Sequence, residues 1–421
     1  MFFRFAGLWR HPDFMKLWVG ATVSRFGSQI TFLALPLTAV LVLDATPAQM
    51  GILMAMGTAP ALVFGLGAGV WVDRRKKRPL LIATDYGRAL LLLAVPVLAV
   101  LGVLRMEFLY VIALGLGMLT LVFGVASRSM LPSLVARDEL VEANSKLAIG
   151  RSGAEVVAPG IGGILVQVFT APIALVVDAA TFVVSALAIQ SMRAPEPEPE
   201  PSEGGDAFMR EAWRGLDFVV RNRVLLAIAG VVGGIAVFNS MFEAVWLLYV
   251  SKDLGLGPVT FGIMFSVGSV GFMAGAVVAE RLIAWLGIGR AIVIGVVVAG
   301  LSDLATPLVG GSVIAIVFVL TTASFVFGVG ATIYGIAQES LRMAATPQSF
   351  QGRMHGVMNT LGMGLIPIGA LIGGFLGETI GMRPTLFIAA GGELAAVLWL
   401  LLTPVWRMRE LPSLADDASD S

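Results

Sequence analysis

Gly67 to Leu80 reads "GAGVWVDRRKKRPL", five consecutive basic residues directly after an aspartate, with apolar sequence on both sides. Such a run suits a nucleic-acid patch, a targeting signal, or a short link pinned between two membrane helices. The surrounding composition separates these. Of 421 residues, 57% are hydrophobic and 13% are charged, about half of the roughly 25% charged residues of a soluble domain. Apolar runs recur from end to end, each near the ~20 residues that cross a hydrocarbon core. Within such a core every backbone polar group must bond internally, which leaves helices or closed barrels. The runs are rich in Leu, Val, Ala and Gly and lack a strict period of two, so helices are expected. Formal net charge is zero, so no overall basic field draws nucleic acid.

Apolar runs between charged or turn-rich breaks give twelve expected spans: 15–43, 47–72, 79–103, 107–131, 146–168, 170–192, 222–250, 258–280, 288–309, 313–338, 354–378 and 384–406. Charge orients them. With the N-terminus cytoplasmic, the inner segments hold 23 of the 28 Lys and Arg, and the opposite side holds only Arg105, Lys252 and Arg383. That asymmetry is the positive-inside pattern, and it places both termini inside. The remaining two, Arg25 and Arg88, lie inside expected helices. The first apolar run is too long for a cleavable signal peptide, so none is expected.

Cysteine is absent, which removes disulfides, thiolate metal sites and cysteine nucleophiles. His11 and His355 fall in expected cytoplasmic segments without companion ligands, so no metal is expected.

"APEPEPEPSEGG" (Ala194–Gly205) interrupts the pattern after the sixth span. Alternating Pro and Glu favours an extended, solvated linker. After it, Phe208, Ala212, Leu216 and Val219 share one helical face, opposite Arg210, Arg214, Asp217 and Arg221. An amphipathic helix on the cytoplasmic membrane surface is expected; the alternative is a simple continuation of the seventh span.

Six spans, a linker and six spans point to duplication. A shift of 211 residues pairs Pro47 with Pro258, Gly51 with Gly262, Gly57 with Gly268, and the glycine pair 162–163 with 373–374. Two six-helix halves in parallel orientation are one of the transporter repeat patterns, with the site near the midplane between them. The expected organisation is an N-terminal bundle over 1–192, linker and amphipathic helix over 193–221, a C-terminal bundle over 222–407, and a tail over 408–421. Glycine is abundant, 50 residues. Clusters such as "GIGG" (160–163) and "IGG" (372–374) let helices approach closely, either as sliding contacts or as ordinary tight packing.

"GVWVDRRKKRP" now reads as the cytoplasmic link between spans two and three, and it resembles the signature loop of the major facilitator superfamily: Gly, three residues, Asp-Arg, then clustered basic residues. It departs at Lys76, where a glycine is common. A degenerate copy is expected at the matching link of the second half, as Glu280-Arg281, reached by a shift of 207 and hence an indel of four. "LWRHPDFMKLWVG" with "SRFGSQI" (8–30), "SRSMLPSLVARDELVEANSKLAIGRSGAEVVAPGIGG" (127–163), "LVVDAATFVVSAL" (175–187) and "TPQSFQGRMHGVMNTLGMGLIPIGALIGG" (346–374) resemble its twelve-helix bacterial drug-efflux branch, which includes macrolide and enterobactin exporters. The resemblance implies an all-α integral membrane protein of two pseudo-symmetric six-helix bundles. It also implies export across a bacterial inner membrane, usually driven by proton entry.

At the cytoplasmic face, Asp73 can pair with Arg74 or with Arg128. The resemblance implies that the aspartate and the loop arginine help close that side. Glu280, Arg281, Glu339 and Arg342 would be the second-half set. Ion pairs present in one state and broken in the other bias a two-state equilibrium, although positive loops also fix topology without gating.

Charges at membrane depth are costly and mark functional candidates. Arg25 lies in span one with Ser28 and Gln29 near it. Glu243 lies mid-span in the seventh, with Asn239 and Ser240 one turn earlier. Glu243 is the candidate for proton or substrate binding, with a carboxylate bonded in helix packing as the alternative. An adjacent Arg25 would favour its charged form. Asp178 also enters the coupling set, although its place on an outer helix reads as structural, and Asp303 reads likewise. Glu155, Glu393 and the Asp85–Arg88 spacing of three are further buried candidates. Phe32, Met118, Phe123, Met241, Trp246, Tyr334 and Asn359 are candidates for an apolar substrate cavity, although Met and aromatic side chains on membrane helices more often face lipid or core.

The expected activity is alternating-access export, exchanging protons for hydrophobic drug-like compounds or a siderophore, and so multidrug efflux and antibiotic resistance. The gradient is the energy source, and no cofactor is expected. Expected partners are a small hydrophobic or amphipathic substrate, protons and membrane lipid, without nucleic acid, for a monomer in the bacterial inner membrane. A lipid or lysophospholipid translocator and a non-transporting membrane sensor of the same fold are the alternatives. No nucleophile–base constellation points to an enzyme.

Overall fold

The computed structural model of the protein describes residues 7–194 and 205–412. The Pro/Glu linker over 195–204 and the tail from 413 lie outside the described residues. The α-helices are α1 (Pro12–Val42), α2 (Pro47–Asp73), α3 (Lys77–Val100), α4 (Met106–Leu134), α5 (Leu140–Val168), α6 (Ala171–Gln190) and α7 (Gly205–Arg221). They continue as α8 (Arg223–Lys252), α9 (Pro258–Leu286), α10 (Ile288–Leu308), α11 (Val313–Ala344), α12 (Gln351–Gly364), α13 (Ile366–Thr379) and α14 (Met382–Leu401). No strand occurs among the described residues.

Local chemistry sets these bounds. Pro12 opens α1, where a missing N–H costs nothing, and His11 caps it by accepting the Phe14 N–H at Nδ1, 3.1 Å away. α12 and α13 divide the expected eleventh span at Leu365, because Pro367 supplies no N–H and its ring crowds the preceding turn. Eleven spans among the described residues are long and apolar enough to cross a membrane, with α12–α13 counted as one. α5 is not among them. Glu142, Lys146, Arg151 and Glu155 load its first four turns with charge.

The duplication is written into the helix starts. α1, α2, α3, α5 and α6 each begin 211 residues before α8, α9, α10, α12 and α14 respectively. This corrects one expectation. α9 runs through "LIAWL" to Leu286, so Glu280 and Arg281 lie inside a helix and not in the link after it. The apolar residues after Arg281 continue the helix until Gly287, whose φ of +87° ends it. No indel separates the paired starts α3 and α10.

The chain divides into two compact units. The first holds Met1–Ala45, Ala59–Ser202 and Gly257–Ser266, and the second holds Thr46–Thr58, Glu203–Leu256 and Val267–Ser421. In the first, α1 packs on α5 and α6, and α3 on α4 and α6. In the second, α8 packs on α13 and α14, and α10 on α11 and α14.

Each unit thus includes a helix start borrowed from the other half of the sequence, and glycine admits it. A Cβ at Gly163 would lie 2.6 Å from the Pro258 carbonyl oxygen and 3.1 Å from the Gly262 Cα. A Cβ at Gly374 would lie 2.8 Å from the Pro47 carbonyl oxygen and 2.9 Å from the Gly51 Cα. These crossings, α5 on α9 and α13 on α2, are images of each other under the same 211-residue shift.

α7 packs on the protein's own helices. Val219 is buried in a cluster with Leu225, Ala229, Ala345, Met354 and Met358. Phe218 stacks on Phe350 at a centroid distance of 4.8 Å, and Gly215 lies against Arg353 and Val357 of α12. The apolar face therefore docks on the protein's own helices, while Trp213 and Val220 stay exposed. The side chains of Phe208 and Ala212 lie outside the described residues.

Two outcomes follow from this packing. Gly163→Ala and Gly374→Ala each lower the thermal unfolding midpoint of the detergent-purified protein, at a cost of about 1–3 kcal/mol for overpacking. Gly57→Ala, whose Cβ would meet nothing within 4 Å, leaves it unchanged within about 0.5 kcal/mol; equal effects at all three sites would refute the crossing. Phe218→Ala removes an aromatic contact worth on the order of 1 kcal/mol, so tryptic cleavage after Arg214 accelerates about fivefold. An unchanged cleavage rate would show that α7 is not held by Phe350.

Candidate functional site

The first unit gathers three of its buried charges on α3 and α6, with Thr31 of α1 hydrogen-bonded to one of them. Asp85 and Arg88 lie three residues apart on α3, form an ion pair, and are 0% and 3% exposed. The spacing puts both on one face of the helix. The Arg88 guanidinium also lies 4.2 Å from the Phe123 ring centroid and 4.1 Å from that of Phe182, so aromatic faces cover what the aspartate does not. Asp178 on α6 is fully buried and acts electrostatically on Arg88. Its Oδ2 accepts from the Thr31 hydroxyl at 2.5 Å and its Oδ1 from the Thr181 hydroxyl at 2.9 Å. Gly27 permits this approach, since a Cβ there would strike both Asp178 and Thr181. Phe123, expected in a cavity, is half-buried with its ring against Arg88.

Arg25 has its partner in this unit as well. Its Nη2 lies 2.9 Å from Oε1 of Glu155 on α5, so the arginine expected to bear on Glu243 is engaged by Glu155. Gln29 and Met118 are half-buried, and Phe32 is exposed, edge-on to Phe265 at 5.6 Å.

The second unit arranges its charge differently, on α8, α10 and α14. Glu243 sits mid-helix on α8 and is exposed on its unit. Behind it, Asp303 of α10 and Glu393 of α14 are 9% and 3% exposed. Gly300 of α10 lies against Leu394 of α14, and Gly392 of α14 against Phe238 of α8, which brings Asp303, Glu393 and Asn239 together, with Glu243 acting on both acids. Trp246 Nε1 donates to the Thr306 hydroxyl at 3.3 Å. Met241, expected in a cavity, is 1% exposed and packs where Gly373 of α13 meets its backbone. Tyr334 is half-buried, and its hydroxyl has no hydrogen-bond partner among the described residues.

Sequence reasoning read Asp303 as scaffold and Glu393 as an isolated buried acid, and so missed the pair. A signal was present: both mid-span arginines, Arg25 and Arg88, fall in the first half, while the second half has three mid-span acids and no mid-span base.

At the ends that carry the basic links, Asp73 closes α2, and its side chain lies outside the described residues; Arg74 and Arg128 are exposed. On α11, Glu339 and Arg342 form an ion pair, and Nδ1 of His355 lies 3.4 Å from Glu339. Glu280, Arg281 and Asn359 are exposed. Among the described residues no group of three His, Cys, Asp or Glu is placed to hold a metal ion.

Comparison with known proteins agrees with this architecture. The Major Facilitator Superfamily profile matches residues 17–367. The multidrug efflux pump Tap of Mycolicibacterium fortuitum is 28% identical over 412 residues, 96% of this chain and 97% of its own length. The enterobactin exporter EntS of Citrobacter koseri is 23% identical over 418 residues, 97% of this chain and 96% of its own. Among solved structures, the nucleoside transporter NupG superposes with a TM-score of 0.72 at 14% identity, covering 93% of this chain and 98% of its own, a likeness of fold alone. A profile match across most of the chain, relatives matched end to end and a shared fold lead to one conclusion: this multi-pass membrane protein belongs to the Major Facilitator Superfamily, among drug- and siderophore-efflux relatives.

Proposed function

We infer that the protein is a secondary active exporter working by alternating access, which exchanges protons for a hydrophobic drug-like compound or a siderophore. It works as a monomer of twelve spans in a bacterial inner membrane, with both termini in the cytoplasm and α5 as the fifth span. The observation that carries the reading is Glu243, a carboxyl group exposed at mid-helix in an apolar span. A charge at that depth is too costly to keep without a role, and a carboxyl group that a conformational change moves between wet and dry surroundings takes up and releases a proton. The efflux relatives support the direction of transport.

In this reading Asp73, Arg74 and Arg128 close the cytoplasmic side of the first half. The Glu339–Arg342 pair with His355 closes that of the second. Mostly apolar side chains, Phe32 and Trp246 among them, suit a bulky substrate better than a sugar or a phosphate.

The test uses proteoliposomes loaded with ethidium, a macrolide or a catecholate siderophore under an imposed pH gradient. Efflux of at least one of them follows the gradient, and Glu243→Gln slows that efflux tenfold or more while substrate exchange without a gradient persists. Efflux indifferent to the gradient would overturn proton antiport. Redistribution of a fluorescent lipid in place of all three compounds would make the protein a lipid translocator.

A further inference from the structure

Among the described residues no cation faces the buried acids of the second unit, and this sets them apart from Asp85 and Asp178 of the first. We propose that Asp303 and Glu393 are a proton-binding site in which the two carboxyl groups share one proton, reached from solvent through Glu243. The proposal deepens the proton-coupled reading above and rests on it for its role in transport. Proton binding itself stands on the geometry.

That geometry has three parts. First, α10 and α14 cross at the pair: a Cβ at Gly300, one turn before Asp303, would lie 2.9 Å from the side chain of Leu394, the neighbour of Glu393, and the two acids act on each other. Two carboxyl groups buried side by side disfavour double ionisation, which one shared proton relieves. Second, Oδ2 of Asp303 and Oε1 of Glu393 are buried without any protein hydrogen-bond partner among the described residues. A buried, ionised oxygen left in that condition is strongly disfavoured, whereas a protonated one is tolerated. Third, among the described residues the side chains that act on the pair carry no positive charge: the amide of Asn239 and the further acid Glu243.

The helices packed around the pair add no mid-span base. On α8 the other charged residues are Arg223 and Lys252, at its two ends. On α10 Arg290 lies in the first turn. On α14 Arg383 donates to the Pro307 carbonyl at 2.7 Å, one turn beyond Asp303. α11, against α10, carries the mutually paired Glu339 and Arg342 and the hydroxyl of Tyr334. α13, against α8, carries Glu378, whose Oε2 accepts the Ala48 N–H.

Glu243 completes the site. It is exposed where Asp303 and Glu393 are buried, and Asn239 stands one turn away on the same helix. A proton arriving at the Glu243 carboxylate passes to the pair as one O–H bond breaks and another forms, and it leaves by the reverse route.

Infrared difference spectroscopy of the purified full-length protein, titrated from low to high pH, tests this directly. The wild type shows the C=O band of a protonated carboxyl group at neutral pH, and the band is lost as the pH rises. Asp303→Asn and Glu393→Gln each remove that band. Glu243→Gln keeps it but slows its hydrogen–deuterium exchange. A band that survives both single substitutions, or a wild type without one at neutral pH, overturns the proposal. Thermal unfolding provides a second readout. A native state that holds a proton the unfolded chain has released loses stability as the pH rises, so the wild-type midpoint falls and the Glu393→Gln midpoint falls less. Equal slopes count against the site. If the band behaves as expected but efflux ignores a pH gradient, the proton site stands and only the antiport reading fails.

Discussion

A carboxyl group inside an apolar helix bundle is tolerated in one of two forms: held by a cation, or carrying a proton. Two carboxylates about 4 Å apart repel by about 4 kcal/mol at an effective dielectric constant near 20, before any cost of leaving water. The two units of this chain answer the constraint in different ways. In the first, Arg88 pairs with Asp85, acts on Asp178 and is covered by Phe123 and Phe182, so a cation faces both carboxyl groups. In the second, Asp303 and Glu393 meet each other, with Glu243 beside them and no arginine inserted.

The repeat makes that contrast sharper, because both units are built on the same frame. Five helix starts are spaced by 211 residues, and the crossings Gly163 on Gly262 and Gly374 on Gly51 recur as images of each other. On that frame Glu393 corresponds to Phe182, Glu243 to Phe32 and Asp303 to Leu92, while Arg88 and Asp178 correspond to Ala299 and Ala389. Each unit has apolar residues where the other has charge. Equivalent helices, α1, α3 and α6 against α8, α10 and α14, thus enclose chemically opposite cores.

Much of the frame was legible in the sequence because membrane helices write their limits in composition. Pro47, Pro258 and the basic run after Asp73 mark ends that backbone chemistry requires, and the glycine pairs carried the duplication. The misreadings share a cause. Glu280-Arg281 was placed in a link because charge suggests a loop, yet the apolar residues after it continue α9 to Leu286. Leu365 was read through because Pro367 sits in an otherwise continuous apolar run. In the candidate site, the Asp85–Arg88 pair was legible because both residues lie on one turn. Arg25 with Glu155, Arg88 with Phe182 and Asp303 with Glu393 join helices far apart in the chain, and only packing brings them together.

The asymmetry has a consequence for how a proton could act on the fold. Removing a proton from the second unit leaves negative charge between α10 and α14 that no base there offsets, so the contact between those helices weakens at once. In the first unit Arg88 keeps one cation beside the two carboxyl groups of Asp85 and Asp178. The negative charge left by loss of a proton is therefore faced by a buried cation in one unit and by none among the described residues of the other. Differential stabilisation of that kind is what a ligand needs in order to shift a conformational equilibrium. Two like halves would respond alike and cancel part of the effect; halves with opposite cores do not.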